Sequence, residues 1–141
     1  MAKLTLEQAN KIIEVAFAKG KEMGLKPLAV AVLDAGGQLQ AYQRQHGGIL
    51  RFEIAFGKAW GSLGMGRSSR ALETLAKERP HFIQAAIAAS DGRLVPVAGG
   101  VLVKSKDGEI VGAIGVSGDT SDNDETVGVA GIQAAGLVAE V

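Results

Sequence analysis

Residues 99–125 read GGVLVKSKDGEIVGAIGVSGDTSDNDE, and this stretch decides the fold. Two apolar runs rich in β-branched residues flank a polar turn that contains Asp-Gly, a pattern typical of a β-hairpin. The second run leads directly into a cluster of carboxylates and hydroxyls, and a segment of small apolar residues follows, as at the start of a helix. The stretch therefore predicts a strand, a turn, a second strand and a capped helix.

The N-terminal part of the chain predicts a helix followed by another hairpin. Thr5 and Gln8 have the spacing of a capping box, and apolar residues then recur with helical period, so we expect a helix over 5–23. The run 28–33 is continuously apolar, which indicates a strand covered on both faces. An alternating segment at 38–44 completes the hairpin.

The middle and the end of the chain predict helices. Apolar residues at helical period indicate helices at 52–63, 68–79 and 81–89, and the last helix is expected over about 122–139. The pattern is that of an α+β fold, with one antiparallel sheet of about four to five strands and helices packed on it. We expect residues 1–141 to form a single domain.

The composition excludes several classes of function. No cysteine is present, so a disulfide, a thiolate metal site and a cysteine nucleophile are unavailable. Lys plus Arg equals Asp plus Glu at 15 each, without a basic cluster, so we expect no nucleic-acid partner. The N-terminus lacks the apolar region of a secretory signal, and no apolar segment has the length of a membrane span. We therefore expect a cytoplasmic protein with no membrane partner.

The chain resembles the haem-binding GlcG/HbpS family, formerly a domain of unknown function, which includes the C-terminal domain of some corrinoid adenosyltransferases. The resemblance covers essentially the whole chain and is carried by VLDAGG at 32–37, KA at 58–59, PVAGGV at 96–101, VGAIGVSG at 111–118 and the acidic run 122–125. It implies a profilin-like sandwich that forms dimers and often larger rings. It also implies haem or corrinoid binding, an association with catabolic operons and, in some members, small-molecule hydrolysis.

The first functional hypothesis is a small-molecule-binding protein whose ligand is haem or a related tetrapyrrole, as the resemblance implies. Some family members use a histidine of the first helix as a haem ligand, but the corresponding helix here has none, which leaves His46 and His81 as candidates. Apolar walls are expected from Phe52, Phe56 and Phe82, and propionate partners from Arg44, Arg51 or Arg93. The predicted ligand-binding residues are His46, Arg51, His81, Phe82, Gly99, Gly100 and Glu125.

The alternative hypothesis is a catabolic-pathway enzyme that hydrolyses or isomerises a small carboxylate or carbonyl compound. Lys58 and Arg51 would orient the substrate anion, and Asp124, Asp119 or His46 would act as the general base. Lys58 is equally consistent with a solvated lysine, or with a partner of Asp34. A third possibility is an accessory protein without chemistry of its own.

Two further expectations concern the acidic run and the assembly. Asp122 and Glu125 have the spacing of a capping pair at the start of the last helix. A capping role would explain both residues without any part in binding or catalysis. No metal-ligand spacing links His46 and His81, so no metal site is expected. The high apolar content, the low charge and the glycine-rich final helix predict a homo-oligomer.

Overall fold

A computed structural model describes residues 2–141, and it confirms the α+β fold with five helices and a five-stranded antiparallel sheet. In chain order the elements are α1 (Leu6–Glu22), β1 (Ala29–Asp34), β2 (Leu39–Arg44), α2 (Arg51–Met65), α3 (Ser69–Glu78), α4 (Pro80–Ala89), β3 (Gly100–Lys104), β4 (Ile110–Ser117), α5 (Ser121–Ala134) and β5 (Val138–Glu140). Both predicted hairpins are present, and so is the short helix expected at 81–89. No helix of the described residues is long and apolar enough to cross a membrane.

The sheet has the strand order β2-β1-β4-β3-β5, and every neighbouring pair is antiparallel. Its two faces are covered by different helices, because successive strand residues point in opposite directions. Val30 and Val32 of β1 pack with Ile12 and Ile13 of α1 and with α5 on one face. Leu33 lies on the other face with Ala59, Phe56 and Trp60 of α2. These two apolar layers bury β1 on both sides, as its unbroken apolar sequence predicts.

Glycines allow the helices to lie unusually close to the sheet. A Cβ atom added to Gly115 of β4 would lie 1.8 Å from the carbonyl oxygen of Ala55, so α2 contacts β4 backbone to backbone. In α5, a Cβ on Gly128 would lie 2.4 Å from Ile114 Cδ1, and one on Gly131 would lie 2.5 Å from the Ile12 carbonyl oxygen. The glycines of α5 therefore serve its packing against β4 and α1.

The C-terminal end of the chain differs from its prediction. The expected helix to about residue 139 is wrong, because α5 ends at Ala134 and Gly136 adopts a φ of +78°. A glycine in this left-handed conformation commonly terminates a helix. The chain then turns back, and Val138–Glu140 forms the edge strand β5 beside β3, where Lys104 pairs with Glu140.

Candidate functional site

Lys58 of α2 and Asp124 of α5 form a buried ion pair. Lys58 Nζ lies 3.3 Å from Asp124 Oδ2 and donates a hydrogen bond of 2.8 Å to the Val116 carbonyl oxygen. The other carboxylate oxygen of Asp124 accepts a hydrogen bond from the Asp119 backbone N–H at 3.0 Å. Lys58 is 3% exposed and Asp124 is 1% exposed. The pair joins α2 to the start of α5 across the end of β4.

Burial shifts the pKa of each partner in the direction that favours its neutral form. Desolvation raises the pKa of Asp124, and the nearby Lys58 ammonium opposes this increase. Desolvation likewise lowers the pKa of Lys58, and Asp124 opposes the decrease. Each charge is thus the main stabiliser of the other in a site with little water.

The predicted contact of Lys58 with Asp34 is absent, since Asp34 is used within its own turn. Its carboxylate accepts hydrogen bonds from the backbone N–H groups of Gly36 and Gln38 at 2.9 and 3.0 Å. Such an interaction is typical of an Asp that closes a turn on its own backbone. Lys58 therefore has Asp124 as its carboxylate partner, which lies 66 positions away in the sequence.

Gly99 and Gly100, predicted to bind a ligand, lie against Lys58. A Cβ on Gly99, whose φ is +123°, would lie 2.7 Å from Lys58 Nζ, and one on Gly100 would lie 2.3 Å from the Lys58 carbonyl oxygen. The Gly100 N–H donates a 2.6 Å hydrogen bond to Ser69 Oγ. Gly99 thus leaves space for the Lys58 ammonium, and Gly100 allows the backbone of α2 to lie close to β3.

Asp119 forms a hydrogen-bonded turn before α5. Its carboxylate accepts hydrogen bonds from the Asn123 side chain at 2.8 Å, the Lys26 backbone N–H at 3.0 Å and the Thr120 backbone N–H at 2.8 Å. These donors lower the pKa of Asp119 to about 2. Asp119 therefore ties the segment before β1 to the start of α5.

The predicted capping role of Asp122 and Glu125 is wrong. Thr120 caps α5, and its hydroxyl accepts the hydrogen bond from the Asn123 N–H at 3.2 Å. Glu125 instead accepts two hydrogen bonds from Arg70 Nε, at 3.0 and 2.9 Å, and Asp122 pairs with the same guanidinium. The two carboxylates thus fasten α3 to α5.

His46 lines a hollow of about 320 Å³ between the end of α1 and the end of β2. The other lining residues are Gly20, Lys21, Leu25, Lys26, Pro27 and Gln45. The imidazole therefore shares this hollow with two ammonium groups and two apolar side chains. Lys21 and Lys26 were not among the predicted site residues, although both stand close to Leu25 and Pro27 in the sequence.

His81 and Phe82 lie at the exposed start of α4, and neither lines the hollow that contains His46. The Arg79 guanidinium lies 4.9 Å from the centre of the Phe82 ring, and Phe82 is 36% exposed. Phe52 and Phe56, in contrast, pack against each other on α2 with ring centres 5.5 Å apart. The three phenylalanines predicted to form one wall thus belong to two separate groups.

Arg51 is the first residue of α2. Arg44 and Arg93, which were also predicted to bind propionates, lie in different parts of the structure. Arg44 lines a second hollow, of about 330 Å³, with Phe52, whereas Arg93 stacks on Trp60 with its guanidinium 5.4 Å from the ring centre. A larger hollow of about 710 Å³ along α1 contains none of the predicted site residues. Over residues 2–141, no group of three His, Asp or Glu side chains has the arrangement of a metal site.

Comparisons with known proteins agree with this architecture. A family model described as "Haem degrading protein HbpS-like" matches residues 4–133. A search of curated protein sequences finds no match.

Solved structures with the same fold extend over nearly the whole chain. The haem complex of PduOC is 21% identical and superposes with a TM-score of 0.87 over 99% of this chain and 100% of its own. ORFY from Klebsiella pneumoniae is 20% identical, with a TM-score of 0.85 over 96% of this chain and 93% of its own. A double mutant of HbpS from Streptomyces reticuli is 28% identical, with a TM-score of 0.78 over 94% of this chain and 87% of its own. Because the family model spans far more than half of the chain, the protein belongs to the HbpS-like family.

Proposed function

We propose that this protein binds haem, or a related tetrapyrrole with carboxylate side chains, in the hollow that contains His46. The observation that carries the proposal is the combination of one imidazole, two ammonium groups and an apolar surface around a single hollow. The description of the family and the haem complex of PduOC, which has the same fold, add support.

Each group at this hollow has a role suited to such a ligand. His46 would supply an imidazole, a group that commonly ligates haem iron. Lys21 and Lys26 would pair with the propionates, and Leu25 and Pro27 would contact the apolar face of the macrocycle. Bound haem would supply iron-centred redox chemistry. The volume of about 320 Å³ suits a ligand that inserts one edge and leaves the other in solvent.

Hydrogen bonds from backbone N–H groups hold the walls of this hollow in place. The Leu28 N–H donates to the Gln45 side chain at 2.8 Å, and the Gln45 N–H donates to the Leu28 carbonyl oxygen at 2.9 Å. Both bonds fix the base of the loop that carries His46. The Lys26 N–H is held by Asp119 at 3.0 Å, so the predicted catalytic residue Asp119 supports the opposite wall.

A hemin titration followed by visible absorbance tests the proposal. We expect a saturable Soret shift for the wild type and at least a tenfold weaker affinity for His46→Ala, because this variant lacks the imidazole that would hold the iron. His81→Ala is the matched control, since it removes the other histidine, and it should bind as the wild type does. Non-saturable binding, or equal effects of the two substitutions, would rule out this site.

The charges at the hollow allow a second test of the same site. Lys21→Glu with Lys26→Glu should weaken hemin binding by about tenfold or more, because carboxylates of the ligand would then meet like charge. Lys11→Glu, on the exposed face of α1, changes the net charge without touching the hollow. Equal weakening by Lys11→Glu would mean that overall charge, and not this site, governs binding.

The enzymatic alternative receives less support from the geometry. Lys58 and Asp124 were its proposed substrate-orienting and basic groups, and they are buried in a pair with each other. A substrate carboxylate would have to displace Asp124 to reach the lysine.

A further inference from the structure

A second hollow, of about 330 Å³, lies between β2 and the start of α2. It is lined by Tyr42, Arg44, Gly47, Gly48, Ile49 and Phe52. The Tyr42 and Phe52 rings meet edge to face with their centres 4.9 Å apart, and the Phe52 ring also packs against that of Phe56. The floor of this hollow is therefore aromatic.

Two buried polar atoms have no hydrogen-bond partner, one on a residue that lines this hollow and one directly behind its wall at Gly47. They are the Tyr42 hydroxyl and Arg51 Nε, the two such side-chain atoms among the described residues. A buried donor without an acceptor is costly, and native structures contain few of them. Burial raises the pKa of Tyr42, with Arg44 acting in the opposite direction and Glu53 in the same direction. The phenol is thus a hydrogen-bond donor at neutral pH, so both orphaned groups require an acceptor.

The local charge favours an anion as that acceptor. Neither Arg44 nor Arg51 forms an ion pair within residues 2–141, whereas Arg70 pairs with two carboxylates. Arg44 and Glu53 are the charged groups that act on Tyr42, and the Arg51 guanidinium lies against Gly47, so the surroundings of the hollow contain two guanidinium groups and one carboxylate. Ser117 Oγ donates a 2.9 Å hydrogen bond to the Arg51 carbonyl oxygen, which fixes the position of this arginine.

Gly47 lies directly against the Arg51 guanidinium. Gly47 has a φ of +118°, and a Cβ added there would lie 2.6 Å from Arg51 Nε. A Cβ on Gly48 would meet no atom within 4 Å. The backbone that covers Nε therefore carries no side chain, and only glycine separates the guanidinium from the hollow.

We infer that this hollow binds a small organic carboxylate and that Gly47 and Gly48 shift on binding. The Tyr42 hydroxyl and the Arg44 and Arg51 guanidinium groups then surround the carboxylate, and Phe52 contacts its apolar part. A carboxylate supplies acceptors to both orphaned donors and neutralises the excess positive charge. The aromatic floor distinguishes an organic acid from inorganic phosphate, which has no apolar surface to bury. This site shares no lining residue with the His46 hollow.

Calorimetric titration with benzoate tests the inference, and benzamide serves as the uncharged isostere. We expect saturable binding of benzoate that exceeds the affinity for benzamide by at least tenfold. Arg51→Gln should weaken benzoate binding by at least tenfold, because a charge-assisted hydrogen bond is lost. Arg67→Gln, beyond the far end of α2, is the matched control and should leave binding unchanged.

Tyr42→Phe separates a binding role from a structural one. The hydroxyl has no protein partner, so this variant should melt at or above the wild-type temperature while it binds benzoate about threefold to tenfold more weakly. A lower melting temperature with unchanged benzoate affinity would overturn the inference. Equal binding of benzoate and benzamide, no saturable binding, or tighter binding of inorganic phosphate would overturn it as well. None of these results depends on the hemin titration, so the two proposals fail independently.

Discussion

At the residue scale, the Lys58–Asp124 pair illustrates how burial makes two charges depend on each other. Replacing Lys58 by Met would leave an unpaired carboxylate in the protein interior, so the variant should lose about 3–5 kcal/mol of unfolding free energy. Removing the ammonium also removes the group that opposes the rise in the pKa of Asp124. A carboxyl whose folded pKa is raised costs stability that grows as the pH rises from its ordinary pKa to the folded pKa, so the loss should be larger at neutral pH than in acid.

Urea unfolding at several pH values measures this effect. The double variant Lys58→Met with Asp124→Leu is its control, because it removes both charges and should recover most of the lost stability. A double variant no more stable than the single one would show that packing, and not the unpaired charge, causes the loss.

Asp119 should contribute stability with the opposite dependence on pH. Its folded pKa of about 2 lies below the ordinary value of about 3.9, so its contribution is present above pH 4 and is lost as the pH falls toward 2. The stability difference between wild type and Asp119→Ala, measured by urea unfolding, should therefore narrow over this range. Glu14→Ala, at an exposed position of α1, should show no such narrowing. A difference that is independent of pH would contradict the assigned hydrogen bonds.

At the element scale, α2 offers a direct comparison between two of its glycines. A Cβ on Gly57 would lie 2.3 Å from Val95 Cγ2 and 2.6 Å from the Arg93 carbonyl oxygen, so Gly57→Ala should cost about 1–3 kcal/mol. A Cβ on Gly64 would meet the Trp60 ring at an ordinary 3.6 Å, so Gly64→Ala should gain up to about 1 kcal/mol from helix propensity. Denaturant unfolding of both variants gives the comparison, and effects of the same sign would contradict the described packing of α2.

Local sequence patterns predicted most helices and strands, whereas β5 and the N-cap of α5 depend on contacts between distant parts of the chain. The helices and both hairpins follow from hydrophobic period and turn residues, which act within a few positions. The strand β5 was missed because three residues carry too little pattern, and its partner β3 begins far earlier in the chain. In the run 119–125 nearly every residue is able to cap a helix, so the choice of Thr120 depends on contacts that Asp124 and Glu125 make with Lys58 and Arg70. For the same reason, no local signal identified the orphaned donors at Tyr42 and Arg51.

At the scale of the whole molecule, both edges of the sheet carry an exposed apolar side chain. Leu39 on β2 is 46% exposed, and Val138 on β5 is 45% exposed. Edge strands present unpaired backbone groups to other chains, so we propose that one of these edges contributes to a homo-oligomer. Light scattering should give a mass of at least two chains, and Leu39→Lys or Val138→Lys should lower it.

The control for this prediction is Gln43→Lys, which adds the same charge to an exposed position of β2 without removing apolar surface. If Gln43→Lys dissociates the assembly equally well, charge alone is responsible. A wild-type mass of one chain at micromolar concentration would contradict the prediction.

The backbone contact between α2 and β4 also constrains how this protein can evolve. At Gly115 the obstacle to a side chain is the carbonyl oxygen of Ala55, and no substitution elsewhere removes a carbonyl group. Lineages can therefore exchange the aromatic residues around this contact in compensating steps, whereas a change at Gly115 has no available second-site suppressor. A deep mutational scan should find position 115 intolerant in every genetic background, while Phe56 and Trp60 tolerate replacements that depend on each other.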